Sequence, residues 1–234
     1  LSLVESRTGF RQDLAPIGAF CREHGIYLAV DGVQAIGVLP VEVAKMRIDF
    51  LVGNDYKWMM HYCGTGFACV SQEMRGVLRQ RGAGWMSDNE RFNSDKERLR
   101  LREDAGRYEL GYPNAAGICA LGLVAAHYLA LGAETIEEYV LDLTDYLWAE
   151  IEKIPGAGIW AKYERKNRSS ITFVQLDDAL EVTNEKLLAN GVFAQTRDGA
   201  EYDADSAIRI SLHYFNDRSD IDRLCAVIRK CRTL

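Results

Sequence analysis

Three short apolar runs constrain the fold of this chain more than any other feature. Residues 26–30 read IYLAV and end at Asp31, residues 48–52 read IDFLV, and residues 66–70 read GFACV. Strands apolar on both faces are buried on both, which predicts a mostly parallel sheet covered by helices. Ahead of the first run, residues 13–24 place Leu14, Ile17, Gly18 and Cys21 on one helical stripe and stop at Gly25, a residue suited to a helix C-cap. Helix, strand, acid is the order of an α/β unit whose chemistry sits at the carboxyl ends of its strands.

Further along, residues 72–79 read as an amphipathic helix and 81–107, rich in Arg, Glu, Asp and Asn, as an exposed loop with room for a short helix. Residues 113–133 carry no formal charge and reach the length of a membrane span. Gly117, Gly122, His127 and Gly132 argue instead for a buried helix shared between two domains. A helix to about residue 154, strands over 158–161 and 170–176, a helix over 179–190, strands over 192–195 and 207–212 and a terminal helix from Arg218 complete an α+β module. The predicted domains are 1–122 and 123–234.

A chain of 234 residues can bury roughly 70% of its unfolded surface, so a core is available without disulfides. The six cysteines lack paired spacing and sit mostly in apolar stretches, so they read as reduced, small core residues of a cytoplasmic protein rather than as bridges or metal ligands. A net charge of −6 leaves no basic field for nucleic acid or an anionic membrane.

Lys57, in GNDYKWMM, follows an apolar strand among aromatic residues. It reads either as a lysine snorkelling at a strand end or as an amine whose desolvation makes it nucleophilic, as Schiff-base chemistry needs. Asp31 alone would be a turn former or helix cap. With Gln34 behind it and Lys57 on the next strand, it forms a set that matches pyridoxal phosphate, which presents a pyridinium nitrogen, a phenolate oxygen and an aldehyde. Arg209, inside the apolar strand AIRISL, needs an anion, and a substrate carboxylate or an internal acidic residue would serve equally.

Five segments carry a resemblance over nearly the whole chain: Ser6, Thr8 and Gly9 in SRTG, then VDGVQAIG, IDFLVGNDYKWMMHYCGTGFACV, YELGYPNAAGICAL and RISLHYFNDRSDIDRL. In order and rough spacing they resemble the class V aminotransferase family of fold-type I pyridoxal-phosphate enzymes, the group of cysteine desulfurases, selenocysteine lyases and isopenicillin N epimerase-like proteins. The resemblance implies an α/β, three-layer α/β/α large domain, here incomplete because the family's chain begins well before the SRTG turn, plus a C-terminal α+β small domain. It implies a cytoplasmic homodimer with a shared active site and an amino-acid substrate, and pyridoxal 5'-phosphate carried on Lys57. By the same resemblance Asp31 pairs with the pyridine nitrogen and Gln34 donates to the phenolic oxygen. Asn54 and Tyr56 reach the phosphate, Ser6 touches cofactor or substrate, and Arg209 clamps the substrate α-carboxylate. Tyr112, in GYPN, stands for the threonine that reaches the other subunit's phosphate.

The chain departs from the family pattern at several places. Residues 191–207 hold no cysteine where desulfurases carry their nucleophile, His61 replaces a glycine, and Asp55 and Tyr56 precede the lysine where a smaller pair is usual. The expected function is chemistry at the Cα of an amino acid, by lyase, epimerase or transaminase. A truncated, non-catalytic relative is the alternative, and a desulfurase using Cys63 is a third reading.

Overall fold

The computed structural model describes residues 1–92, 95 and 97–231. Its contacts divide it into two compact units. The first holds residues 1–3, 14–37 and 41–130; the second holds 4–13, 38–40 and 131–231 of the described chain. The expected break after residue 122 falls inside a helix of the first unit, and the second unit also takes in two segments from the amino-terminal part.

In the first unit, helix α1 (Leu14–Glu23) leads into β1 (Ala29–Asp31), followed by β2 (Phe50–Asn54), β3 (Gly66–Val70) and the short helix α2 (Gln72–Val77). Strand β1 is shorter than the run IYLAV because the chain leaving α1 is still turning, with the Ile26 amide bonded to the Cys21 carbonyl. Strand β1 pairs parallel with β2, Ala29 opposite Phe50, whereas β2 pairs antiparallel with β3. The mostly parallel sheet expected from the apolar runs is therefore mixed. The reason is local: the 55–65 link is too short for a crossover, so β3 must return alongside β2. Asp49, the one charge inside these runs, is buried but satisfied, its Oδ2 accepting the Leu28 amide at 2.8 Å.

The described residues between 81 and 107 are mostly turns, bends and irregular chain, with an isolated Asp88–Leu101 bridge and a 3₁₀ turn over Ala105–Tyr108. Within the stretch expected to be an exposed loop, residues 93, 94 and 96 lie outside the described residues. Helix α3 (Ala115–Leu131) follows, and it is not the buried helix that its sequence predicts. Gly117 is its one buried residue, where the missing Cβ leaves space for Thr65 and Asn114. Leu123 and Leu129 are 74% and 73% exposed, and beyond Gly117 only a stripe through residues 120, 121, 124, 125 and 128 is half-buried. No single helix among the described residues is long and apolar enough to cross a membrane.

The second unit is built on helix α4 (Ala133–Ile151) and an antiparallel sheet of β4 (Ala157–Ile159), β5 (Ile171–Leu176), β6 (Gln195–Asp198) and β7 (Ser206–Ser211), in the order β4-β5-β7-β6. Helix α5 (Asn184–Ala189) and the terminal helix α6 (Arg218–Lys230) complete it. Ile136, Val140, Leu143, Leu147 and Ile151 form the buried stripe of α4, and Ile221, Leu224, Cys225 and Ile228 that of α6. Helix α5 starts later than expected because the Thr183 side chain caps it, accepting the Lys186 amide. Residues 192–194 stay outside β6 because the Val192 amide still closes the turn of α5 onto the Leu187 carbonyl. All six cysteines are free, and the expectation that most are core residues fails. Only Cys225 is buried, which pushes its thiol up to about 11, while Cys63, Cys69 and Cys119 are exposed.

Candidate active site

Parallel pairing of β1 and β2 brings their carboxyl ends to one edge of the sheet, the edge at which open α/β sheets bind ligands. Asp31 ends β1 there, and Asn54 ends β2, with Lys57 in the link that follows. Asp31 is exposed; one carboxylate oxygen accepts the Val33 amide at 2.8 Å, which starts the turn over 32–37, and the other is left for a ligand. That turn packs on the lysine's own segment. Gly37 sits at φ +104°, and a Cβ there would come within 2.6 Å of the Trp58 backbone. The Trp58 indole donates to Gln34 Oε1 at 3.3 Å. An indole nitrogen can only donate, so the bond leaves the Gln34 amide group to act as a donor.

Lys57 is half-buried, and its amine has no hydrogen bond or ion pair among the described residues. Asn54 Oδ1 is buried without a partner, so a polar group is wanted beside it. Tyr56 is half-exposed. The 55–65 link is closed at its base, with the His61 amide donating to the Asp55 carbonyl at 2.9 Å and His61 Nδ1 2.8 Å from Asp55 Oδ2. In the GYPN turn, Asn114 caps α3 by accepting the Gly117 amide and donates to Thr65 Oγ1 at 3.1 Å. Tyr112 is 90% exposed, its ring edge-on to Trp85 at 4.9 Å, and among the described residues its hydroxyl is unengaged.

In the second unit, strand alternation explains the arginine in the apolar strand. Ile208 and Ile210 of β7 are buried, so Arg209 points to the opposite face, where it is paired with Phe173 of β5 and Gln195 of β6. On that face Phe173 stacks on Tyr202 with ring centroids 4.6 Å apart. The SRTG turn lies against β5: Gly9, at φ +72°, has no room for a side chain because a Cβ would collide with the Ile171 carbonyl oxygen. The turn offers the Ser6 carbonyl to Arg209 Nε at 3.4 Å, while Arg209 Nη1 donates to Ser211 Oγ at 2.7 Å. The Ser6 side chain itself is exposed. Among the described residues no carboxylate pairs with Arg209. Burial, and after it the positive charge of Arg197, push its guanidinium below the ordinary range, with Tyr202 opposing. An incoming anion would relieve both effects.

These residue types fit pyridoxal phosphate. A partnerless amine, a carboxylate with an open oxygen and an amide held as donor stand on one unit, and an unpaired guanidinium on the other. Sequence reasoning missed Trp58, whose role depends on a side-chain contact rather than a motif. It marked Asp55 and His61 as departures from the family pattern but not as a pair, since only the fold brings their side chains together.

A model of the aminotransferase class-V family matches residues 1–224. A cysteine desulfurase of Shigella sonnei is 27% identical over 240 aligned positions, covering 99% of this chain and 57% of that protein. A cysteine desulfurase of Escherichia coli is 26% identical with the same coverage. The chain thus spans little more than half the length of the curated relatives it matches. Among solved structures, the apo cysteine desulfurase of Thermococcus onnurineus superposes with a TM-score of 0.87 at 17% identity, over 98% of this chain and 58% of that one. The cystine C–S lyase C-DES, in complex with its product cysteine persulfide, does so at 0.84 and 22%, over all of this chain and 61% of that one. At these identities the likeness shows the fold alone, the fold-type I architecture with a partial large domain.

Proposed function

The chain belongs to the aminotransferase class-V family, and from that premise we propose that it is part of a pyridoxal-phosphate enzyme acting at the Cα of an amino acid. The observation that carries this reading is the shared strand edge of Asp31 and Lys57, with Gln34 tied through Trp58 to the lysine's turn. When bound, the cofactor supplies an electron sink for negative charge at Cα. Lys57 would carry the cofactor, and its amine would hold or move the proton at Cα. Asp31 keeps the ring nitrogen protonated, Gln34 donates to the phenolic oxygen, and Asn54 and Tyr56 bind the phosphate. Arg209 binds the substrate carboxylate as a two-pronged donor. Tyr112 completes the site of a second subunit in a homodimer.

A second reading narrows the reaction to C–S bond cleavage. The relatives are named cysteine desulfurases, and a structural neighbour is a cystine C–S lyase. Residues 191–207 contain no cysteine, so this reading releases sulfur without a protein-bound persulfide on that segment. Activity on cystine that survives Cys63→Ser supports it.

The test uses the full-length protein loaded with pyridoxal phosphate, reduced with borohydride and mapped by peptide mass. A pyridoxyl group on Lys57 is expected; its absence there overturns the reading. A spectral change on adding amino acids distinguishes an enzyme from a relative that only retains the fold.

A further inference from the structure

Asp55 and His61 have no role in the reading above, yet they bracket Lys57 in the chain. Asp55 is fully buried and the His61 side chain is only 5% exposed. Two bonds join them across the turn, one from the His61 amide to the Asp55 carbonyl and one between the side chains at 2.8 Å. Inside the loop so closed, Met60 holds φ +53° and donates its amide to the Lys57 carbonyl at 3.0 Å. A methionine keeps a left-handed backbone only where its surroundings impose it.

The pair is an expensive way to close a turn. Asp55 Oδ1 and His61 Nε2 are both buried without partners, and with Asn54 Oδ1 they make three of the six such atoms among the described residues. Apolar side chains of similar size would close the loop without stranding polar atoms. What a directional bond adds is a fixed geometry for the residues between its ends.

We propose that Asp55 and His61 are positioning residues for Lys57, a buried clasp that holds its turn in the one conformation that presents the amine. The proposal rests on the assignment of Lys57 as the cofactor-bearing lysine. It is distinct from catalysis, since neither residue is assigned to cofactor or substrate.

The test follows the rate at which pyridoxal phosphate attaches to Lys57 in the full-length protein, trapped by borohydride at timed intervals. Labelling of the exposed Lys230 in the same digest is the internal reference. Asp55→Ala and the double variant Asp55→Ala/His61→Ala are expected to slow attachment at Lys57 about 10- to 100-fold, the scale of a small misplacement of a reacting group, with Lys230 unchanged. Asp55→Asn, whose amide oxygen still accepts from His61, is expected to recover most of the rate. The double variant leaves no lone buried charge, so it remains informative if Asp55→Ala does not fold. A folded double variant labelled at the wild-type rate overturns the proposal, as does Asp55→Asn reacting no faster than Asp55→Ala. Loss of folding in both truncations makes the pair structural and also ends it. No labelling of Lys57 in the wild type overturns the functional reading and the clasp with it, whereas failure of the clasp alone leaves wild-type labelling intact.

Discussion

Arg209 shows how one side chain can look misplaced in sequence and be well placed in the fold. Its neighbours Ile208 and Ile210 fill the core, and alternation alone sends the guanidinium to the opposite face, beside the Ser6 carbonyl and Ser211 hydroxyl. Those two acceptors hold two of its five donor hydrogens and neutralise none of its charge. A lysine would keep the charge but lose the planar fork. Arg209→Lys is therefore expected to raise KM for the amino acid about 10- to 100-fold, the worth of one charge-assisted hydrogen bond, with a smaller change in kcat. The control is binding of the amine that lacks the carboxylate, followed by the visible spectrum of the cofactor. It should be nearly the same in both proteins, and an equal loss for acid and amine would show that Arg209 does not read the carboxylate.

Elements differ in how much of their boundary is written locally. Helix α6 begins at Arg218 as the sequence predicts, because Asp217 and Asp220 form a capping box: Asp217 Oδ1 accepts the Ser219 and Asp220 amides and the Ser219 hydroxyl, and Asp220 answers to the Asp217 amide. The Ser219 hydroxyl first, then these amides, hold the Asp217 carboxyl below its ordinary value of 3.8. A carboxylate lowered on folding stabilises the native state above that ordinary value, and the contribution fades as pH falls through the lowered one. Asp217→Ala should thus lower Tm at about pH 7, with the gap to wild type narrowing toward about pH 3. A gap independent of pH would mean that the loss comes from packing. Where local signals were weaker, the sequence misled. Val192 has strand propensity but is captured by the turn leaving α5, and the direction of β3 depends on the length of the 55–65 link rather than on its own residues. Helix α3 carries no periodicity from which burial could be read, and apolar content alone overstated it.

At the scale of the whole molecule, Asp31, Gln34, Lys57 and Arg209 stand out in the sequence as candidates because each is a chemical type out of keeping with its segment. Their supports do not, since Trp58 and the Asp55–His61 pair act through contacts that no spacing rule encodes. Tyr112 falls between the two: the GYPN turn is visible in sequence, and among the described residues its hydroxyl is unengaged on the surface. If that hydroxyl serves the site of a second copy, the two halves of one active site lie on different chains, and a defect in one can be covered by the other. Lys57→Ala removes the cofactor's attachment point, and Tyr112→Ala removes the reaching group. Co-expressed full-length chains, one with each change, should form mixed dimers in which one site joins an intact Lys57 to an intact Tyr112 while the other lacks both. Cofactor affinity measured on purified mixed dimers is then expected to show one site per dimer of wild-type strength, against only weakened sites in Tyr112→Ala alone and in Lys57→Ala alone. Mixed dimers no tighter than the Tyr112→Ala protein would place Tyr112 in its own subunit or outside the site, and would leave its contact with Trp85 as its role.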